Sequence, residues 1–328
     1  MDTAGQVNTT QQDKPRHNLL VLVGPTAVGK TALSLKLAES FDCEIISGDS
    51  MQVYRGMDIG TAKATPEERA KVPHHLIDIR DPDEAYSVSD FQEECTRAIE
   101  AIASRGKLPF IVGGTGLYIQ SVVYGYRFSE AGQDETFRQE LKAYAETHGA
   151  KALHDRLRKI DPASADRLHE NDIRRVIRAL EVYHLTGRTL TEYLAKQPKE
   201  SPYHTCIIGL TMERSQLYRN IEQRVDLMIE QGLIEEVQRL LDSGYGPGLI
   251  SMQGLGYKEI IGYLLGEYNR EHAIELLKRN TRRFAKRQLS WFRHMRGIIW
   301  IDVTDRAKFD SNLARINDII RNKFYSDA

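Results

Sequence analysis

The 328-residue chain contains few cysteines, no long apolar run and almost no net charge. Its three cysteines, Cys43, Cys95 and Cys206, are too far apart for a C-x-x-C zinc site and suit a reducing compartment. No apolar segment approaches the length of a membrane span, and residues 1–17 lack the apolar stretch of a secretory signal. The net charge of −1 gives no whole-chain sign of nucleic acid, although a local patch would be enough. We therefore expect a cytoplasmic protein with a flexible polar tail at 1–17.

The most informative segment present is a P-loop. Residues 24–31 match the pattern G-x-x-x-x-G-K-[ST] with Gly24, Pro25, Thr26, Ala27, Val28, Gly29, Lys30 and Thr31. An apolar run precedes it and a stretch with helical spacing follows it, so backbone N–H groups would converge on an anion. Lys30 adds a positive charge, and the Thr31 hydroxyl can hold a magnesium ion. The segment predicts a diphosphate site, but it does not say that the diphosphate belongs to ATP.

Short apolar runs alternate with helical stretches along most of the chain, which predicts an α/β fold with a parallel sheet flanked by helices. The predicted strands are 19–23, 44–47, 108–112, 206–210 and 298–303. Between residues 123 and 205 the chain shows only helical stretches, at 134–148, 151–160, 172–185 and 189–196. We predict a P-loop NTPase-like core domain at 18–124 and 205–310, with a mainly helical insertion domain at 125–204.

Two segments follow predicted strands, where open α/β sheets bind their ligands. Asp49 follows the second strand and could act as a base or hydrogen-bond acceptor, or it could only cap a turn. Thr115 lies in the sequence GGTG after the third strand and could donate to an oxygen, or it could belong to a tight strand-to-helix turn.

Two basic stretches could contact RNA. One is 171–178; the other, 278–296, carries eight Lys or Arg, no acid and three interleaved aromatics. Such a pattern suits a phosphate backbone and unstacked bases, but it equally suits a solvated helix face with aromatics in the core. The loop 253–258 could line a close contact or only start a helix, and the default for Arg224 is a surface ion pair.

Taken together, these segments resemble the tRNA dimethylallyltransferase (tRNA isopentenyltransferase) family, in its bacterial form without a zinc-finger extension. The resemblance runs from about residue 18 to about residue 303. It rests on GPTAVGKT (24–31), SGDSMQVYRGMDIGTAK (47–63), HHLIDIRDPDEAYSVSDFQ (74–92), VGGTGLYIQSVVYG (112–125), DIRRVIRALEVYHLTG (172–187), RVDLMIEQGLIEEV (224–237), QGLGYKEIIGYL (253–264) and TRRFAKRQLSWFR (281–293).

The resemblance implies transfer of the dimethylallyl group of dimethylallyl diphosphate to N6 of adenosine 37, in tRNAs reading codons that begin with U. The P-loop would hold the donor's diphosphate rather than ATP, with Mg²⁺ on Thr31. The implied partner is the tRNA anticodon stem-loop, and we expect a monomer without membrane contact.

The resemblance also implies roles for individual residues. Asp49 would take the N6 proton, Thr115 and Arg138 would act in catalysis, and Arg224 would meet the diphosphate, with Arg219 as its competitor. The implied tRNA contacts are Asp49, Ser50, Met51, Gln52, Arg174, Arg175, Val176, Ile177, Arg178, Gln253, Gly254, Leu255, Gly256, Tyr257 and Lys258.

Other functions remain to be weighed against this one. A small-molecule P-loop kinase or an adenylate prenyltransferase would explain the P-loop, but neither needs a large basic insertion. A regulatory NTP switch would need a Walker B pattern, which is not clear in the sequence, and an RNA-binding module would leave the P-loop unexplained.

Overall fold

The computed structural model describes residues 16–128, 134–198 and 200–326, so the predicted tail lies outside them except for Arg16 and His17. The strands in these residues are β1 (Asn18–Val23), β2 (Cys43–Gly48), β3 (His74–His75), β4 (Leu108–Gly113), β5 (His204–Thr211) and β6 (Ile298–Asp302). They form one parallel sheet in the order β3-β2-β4-β1-β5-β6. The predicted α/β fold is confirmed. The two-residue β3 was not predicted, so the insertion follows the fourth strand in the chain rather than the third.

Helices surround the sheet and make up the insertion. In the described residues they are α1 (Lys30–Phe41), α2 (Pro66–Lys71), α3 (Val88–Ser104), α4 (Gly116–Val123), α5 (Glu135–His148), α6 (Ala150–Ile160), α7 (Pro162–Arg167), α8 (Ile173–Thr186), α9 (Leu190–Ala195), α10 (Arg214–Glu230), α11 (Leu233–Asp242), α12 (Tyr257–Leu264), α13 (Arg270–Arg293) and α14 (Phe309–Phe324). Contacts divide these residues into two compact units. The first ends at Tyr124 and resumes at Ser201, and the second lies within Gly125–Glu200 and holds α5–α9.

The central strand β1 is buried on both faces of the sheet. Leu20 and Leu22 pack with residues of α1 and α14, while Leu19, Val21 and Val23 pack with residues of α3 and α4. A parallel sheet covered on both faces reads as a continuous apolar run, which is why this strand was visible in the sequence. Because β1 is held from both sides, the loop that follows it starts from a fixed point.

The three cysteine side chains lie in the interior of the protein. All three thiols are free and buried. Burial raises the pKa of the Cys43 thiol to about 12 and that of Cys206 to about 11, and it raises the pKa of Cys95 further still.

Within the described ranges, no helix combines the length and apolar character needed to cross a membrane.

Candidate functional site

The P-loop joins β1 to α1 and faces a large cavity. Its backbone takes left-handed conformations at Ala27 (φ 62°) and Gly29 (φ 100°), which bend the chain tightly ahead of the helix. Residues 26–31 line a cavity of about 1220 Å³, whereas Gly24 and Pro25 are buried and do not line it. The carbonyl oxygens of Gly24 and Pro25 instead accept hydrogen bonds from the Lys30 ammonium, at 3.0 Å and 2.8 Å.

Three charged side chains meet in the cavity beside the P-loop: Lys30, Arg224 and Asp49. Burial, and then the positive charge of Arg224, lowers the pKa of Lys30 from 10.5 to about 7, with Asp49 acting in the opposite direction. Burial also lowers the pKa of Arg224, again against the effect of Asp49. Two half-buried cations thus feel the charge of one carboxylate, an arrangement that favours a polyanionic ligand.

The two arginines proposed for the diphosphate lie on different sides of α10. Arg219 is exposed, and its guanidinium donates to Ser215 Oγ at 3.3 Å and to Gln216 Oε1 at 2.7 Å. Arg224 lines the cavity. Residues five positions apart on a helix are separated by about 140° around its axis, so a cavity on one side of α10 receives only one of the pair.

A close approach of β2 and β4 brings the segments of Asp49 and Thr115 together. Gly48 and Gly113 pair in the register, and a Cβ on Gly113 would lie 2.3 Å from the Gly48 carbonyl oxygen. Just beyond them, Thr115 Oγ1 accepts a hydrogen bond from the Ser50 backbone N–H at 3.0 Å. Both Asp49 and Thr115 line the cavity, as the sequence predicted for residues at strand ends.

The neighbouring positions Ser50, Met51 and Gln52 also line the cavity. Asp49 Oδ1 accepts from the Met51 N–H at 2.8 Å, so the turn-capping alternative for Asp49 is observed too. Because this cap uses one of the two carboxylate oxygens, capping and chemistry are compatible in the same side chain.

The glycine-rich loop before α12 contributes only part of its predicted contact set. Gln253, Gly254, Leu255 and Lys258 line the cavity. Gly256 and Tyr257 are buried, and Tyr257 is 0% exposed in a hydrophobic cluster, so their predicted RNA contact is corrected. Gly256 takes a φ of 99° and starts α12, which is the structural alternative that the sequence left open.

Glu236 on α11 was missed by sequence reasoning. It is 1% exposed, and its carboxylate accepts from the N–H groups of Asp58, Ile59 and Gly60 at 2.8–3.1 Å. It also accepts from the Tyr257 hydroxyl at 2.6 Å. Four donors thus fix the loop that continues from Asp49. An acid on a helix usually indicates an exposed face, so the sequence carried no signal for this contact.

The basic stretch 278–296 covers α13 from residue 278 to its end at Arg293, and its side chains divide between the cavity and the core; its predicted RNA contact stays a prediction. Asn280, Arg283, Phe284, Arg287 and Gln288 line the cavity, while Ala285 and Phe292 are buried in the two main clusters. Six basic side chains line the cavity against three acidic ones: Lys30, Arg224, Lys258, Arg283, Arg287 and Arg306, against Asp49, Glu68 and Asp305. A near-neutral chain therefore presents a locally positive cavity.

The remaining predicted residues lie in the second unit. Val176 and Ile177 are 0% and 8% exposed in its helical core, so the predicted RNA contact of these two side chains is corrected. Arg178 and Arg138 both pair with the buried carboxylate of Glu181, at 2.6 Å and 2.8 Å. The catalytic role of Arg138 stays a prediction.

Two further arginines of α8 are more open to solvent. Arg174 and Arg175 are exposed, and Arg175 pairs with Asp172 at 3.0 Å. Exposed cations on one helix suit contact with a phosphate backbone. Their RNA contact stays a prediction.

The side chains around the P-loop suit a Mg²⁺ ion that binds together with a diphosphate. Among the described residues, no group of three or more His, Cys, Asp or Glu is placed to hold a metal ion. Thr31 lines the cavity at the start of α1. Magnesium keeps several waters and binds through few protein groups plus substrate phosphates, so a single hydroxyl beside a diphosphate fits it.

Comparison with known proteins decides the family. The model of the IPP transferase family (IPPT) matches residues 52–295. The chain belongs to this family. A tRNA dimethylallyltransferase of Halalkalibacterium halodurans is 52% identical over 309 residues, which are 94% of this chain and 98% of that protein. One from Geobacillus thermodenitrificans is 52% identical over 310 residues, with the same coverage. The resemblance to tRNA dimethylallyltransferases is confirmed.

Solved IPP transferase structures share the fold. The full-length tRNA isopentenylpyrophosphate transferase of Bacillus halodurans superposes with a TM-score of 0.72 at 51% identity, covering 94% of this chain and 97% of that one. A eukaryotic dimethylallyltransferase captured acting on tRNA gives a TM-score of 0.81 at 33% identity, covering 95% of this chain and 80% of that one. The fold around the cavity is therefore that of the family.

Proposed function

We propose that this chain transfers the dimethylallyl group of dimethylallyl diphosphate to N6 of adenosine 37 in tRNAs reading codons that begin with U, with release of diphosphate. One observation carries the proposal: Lys30 of the P-loop and Arg224 line one cavity together with Asp49 and Thr115. A leaving-group site and an acceptor site within the same space are what group transfer requires. Relatives named tRNA dimethylallyltransferase support the substrate pair.

The cations of the cavity would stabilise the leaving group. Cleavage of the allylic C–O bond places negative charge on the diphosphate, and Lys30, Arg224 and P-loop residues 26–31 line the cavity that would hold it. Because the pKa of Lys30 is about 7, a bound polyanion would hold the ammonium in its charged form. A Mg²⁺ ion held by Thr31 and the diphosphate would add Lewis-acid stabilisation of the same charge.

Asp49 and Thr115 would serve the acceptor. The exocyclic N6 becomes nucleophilic as its proton is taken, and Asp49, which lines the cavity, would accept that proton. The base has to leave its stack to reach the cavity, which is inexpensive in a single-stranded anticodon loop. Arg283 and Arg287 add positive charge along the lining for the RNA backbone. We propose that the chain acts as a monomer in the cytoplasm.

The deciding experiment incubates the purified chain with labelled dimethylallyl diphosphate and unmodified tRNA carrying adenosines at positions 36, 37 and 38. ATP with the same tRNA is the control. We expect label in the tRNA from the allylic donor and no product from ATP. Hydrolysis of ATP with the allylic donor untouched would refute the proposal.

A variant links the chemistry to its residue. Asp49→Ala is expected to abolish transfer while tRNA binding survives, because the proton acceptor is lost and the positive cavity remains. Asp242→Ala, at an exposed acid near the end of α11, is the matched control and should keep activity. Unchanged turnover of Asp49→Ala would remove this carboxylate from the mechanism.

The second unit is tested separately. Replacing Arg174, Arg175 and Arg178 together by glutamine should weaken tRNA binding and flatten its dependence on salt, because fewer counterions are released. An unaltered salt slope would show that α8 does not bind the RNA.

A further inference from the structure

Gln288 on α13 contacts two separate parts of the site. Its side chain is 6% exposed, and Oε1 accepts a hydrogen bond from the backbone N–H of Thr26 in the P-loop at 2.8 Å. Its Nε2 donates to the carbonyl oxygen of Gly114 at 3.0 Å. The amide thus uses one end for the diphosphate loop and the other for the loop that carries Thr115.

The contact fits its surroundings closely. A Cβ on Gly114 would lie 2.2 Å from Gln288 Nε2, so only glycine leaves room for the amide there. One residue further on, Thr115 Oγ1 accepts from the Ser50 N–H at 3.0 Å, next to Asp49. Hydrogen bonds therefore run from the P-loop through Gln288 to the acceptor side of the cavity.

We propose that Gln288 is a positioning residue that fixes the leaving-group loop relative to the acceptor side. The inference rests on the proposed function. Transfer needs the electrophilic carbon and the nucleophilic nitrogen in near-attack geometry, and a displacement of about 1 Å can lower the rate about 100-fold. The Thr26 N–H is also engaged by protein before any ligand binds, so the loop is anchored in advance.

Two substitutions separate the two ends of the amide. Gln288→Glu keeps an oxygen for the Thr26 N–H but sets a second oxygen against the Gly114 carbonyl. Its donor KM should stay within about threefold of wild type while kcat falls at least about tenfold. Gln288→Met keeps the length and loses both bonds, so kcat should fall and the donor KM should rise. Neither variant should change tRNA affinity.

A matched pair of controls comes from Gln238 on α11. This glutamine is exposed, and its amide donates to Asp242 of the same helix at 2.8 Å. Gln238→Glu and Gln238→Met make the same chemical changes away from the cavity and should leave kcat and both KM values unaltered. Melting temperatures of all four variants show how much folded protein each assay contains.

A double-mutant cycle tests the contact from its other side. Gly114→Ala forces the amide away, so it should lower kcat as the Gln288 variants do. In Gln288→Ala the clash is absent, so adding Gly114→Ala should lower kcat by less than about twofold. The proposal would be overturned if the kcat losses of Gly114→Ala and Gln288→Ala add in the double variant. It would also be overturned if the single variants have the same kcat per folded molecule as wild type.

A wrong assignment of Gln288 can be distinguished from a wrong assignment of the dimethylallyl transfer activity. If the wild-type chain transfers no dimethylallyl group, the function proposal falls. Gln288 is then judged by titration with inorganic diphosphate. A diphosphate affinity that is at least about fivefold lower in Gln288→Met but unaltered in Gln238→Met supports the positioning role of Gln288. Equal diphosphate affinities of the two variants refute that role.

Discussion

Replacing Lys30 with methionine tests the electrostatics of the P-loop most directly. The pKa of Lys30 falls from 10.5 to about 7, chiefly through burial. Each unit of pKa corresponds to about 1.4 kcal/mol, so below pH 7 the folded protein keeps this ammonium charged at an unfavourable free energy of about 5 kcal/mol. Methionine removes that penalty.

The substitution also removes the hydrogen bonds from Lys30 to the carbonyl oxygens of Gly24 and Pro25. Leaving these two buried carbonyl oxygens unsatisfied costs about 1–3 kcal/mol each, or about 4 kcal/mol together. Below pH 7 the methionine variant should therefore be more stable than wild type by only about 1 kcal/mol.

The sign of this difference changes with pH. Between pH 7 and 10.5, folded Lys30 is neutral while unfolded Lys30 is still protonated, so wild-type stability rises relative to the variant. Near pH 10.5 the ionisation penalty is gone and only the lost hydrogen bonds remain. The stability curves should cross at about pH 7.5, with the variant less stable above that pH.

Urea denaturation of wild type and Lys30→Met at about pH 6, 8 and 10 measures this crossing. Lys36→Met is the control on the same helix, because the Lys36 side chain is 58% exposed, and its effect should be small and nearly independent of pH. The methionine variant at position 30 should also lose transfer activity. A stability difference that does not shift in favour of the wild type as the pH rises from 6 to 10 would refute the reasoning.

Three further outcomes are expected. Arg224→Met should weaken binding of dimethylallyl diphosphate at least about tenfold in a titration, whereas Arg219→Met should change it by less than about twofold. The reason is that, of these two arginines, Arg224 lines the cavity and Arg219 does not. Glu236→Gln should lower the free energy of unfolding by about 2–3 kcal/mol, against almost nothing for the exposed Glu235→Gln, since an amide cannot accept from all four donors. Thr115→Val should reduce kcat, and Thr115→Ser should restore it, because the Ser50 N–H needs an acceptor.

Local chemistry made much of this molecule predictable. The P-loop follows from eight adjacent residues, and β1 follows from a run whose Leu19–Val23 side chains are all 0% exposed. Several short elements were not predicted, namely β3 with two residues and α2 and α7 with six each, although the equally short α9 was. Asp49 and Thr115 were found because both follow strands that end at one edge of the sheet.

Contacts between residues distant in the chain were not predictable. Gln288 lies 262 positions from Thr26, and Glu236 lies 178 from Asp58, so no spacing pattern joins either pair. Tyr257 and Val176 were predicted to bind RNA because whole motifs were taken together. Neighbouring residues on a helix face different directions, and a motif alone does not say which direction is inward.

The buried cysteines have a practical consequence. Because every thiol of the chain is enclosed and its pKa is raised, alkylating reagents at neutral pH should find no thiolate to attack. A single new cysteine on an exposed helix position would then accept a fluorophore or spin label without removal of the native ones. Movements of the chain during turnover could be followed by spectroscopy in an otherwise unaltered protein.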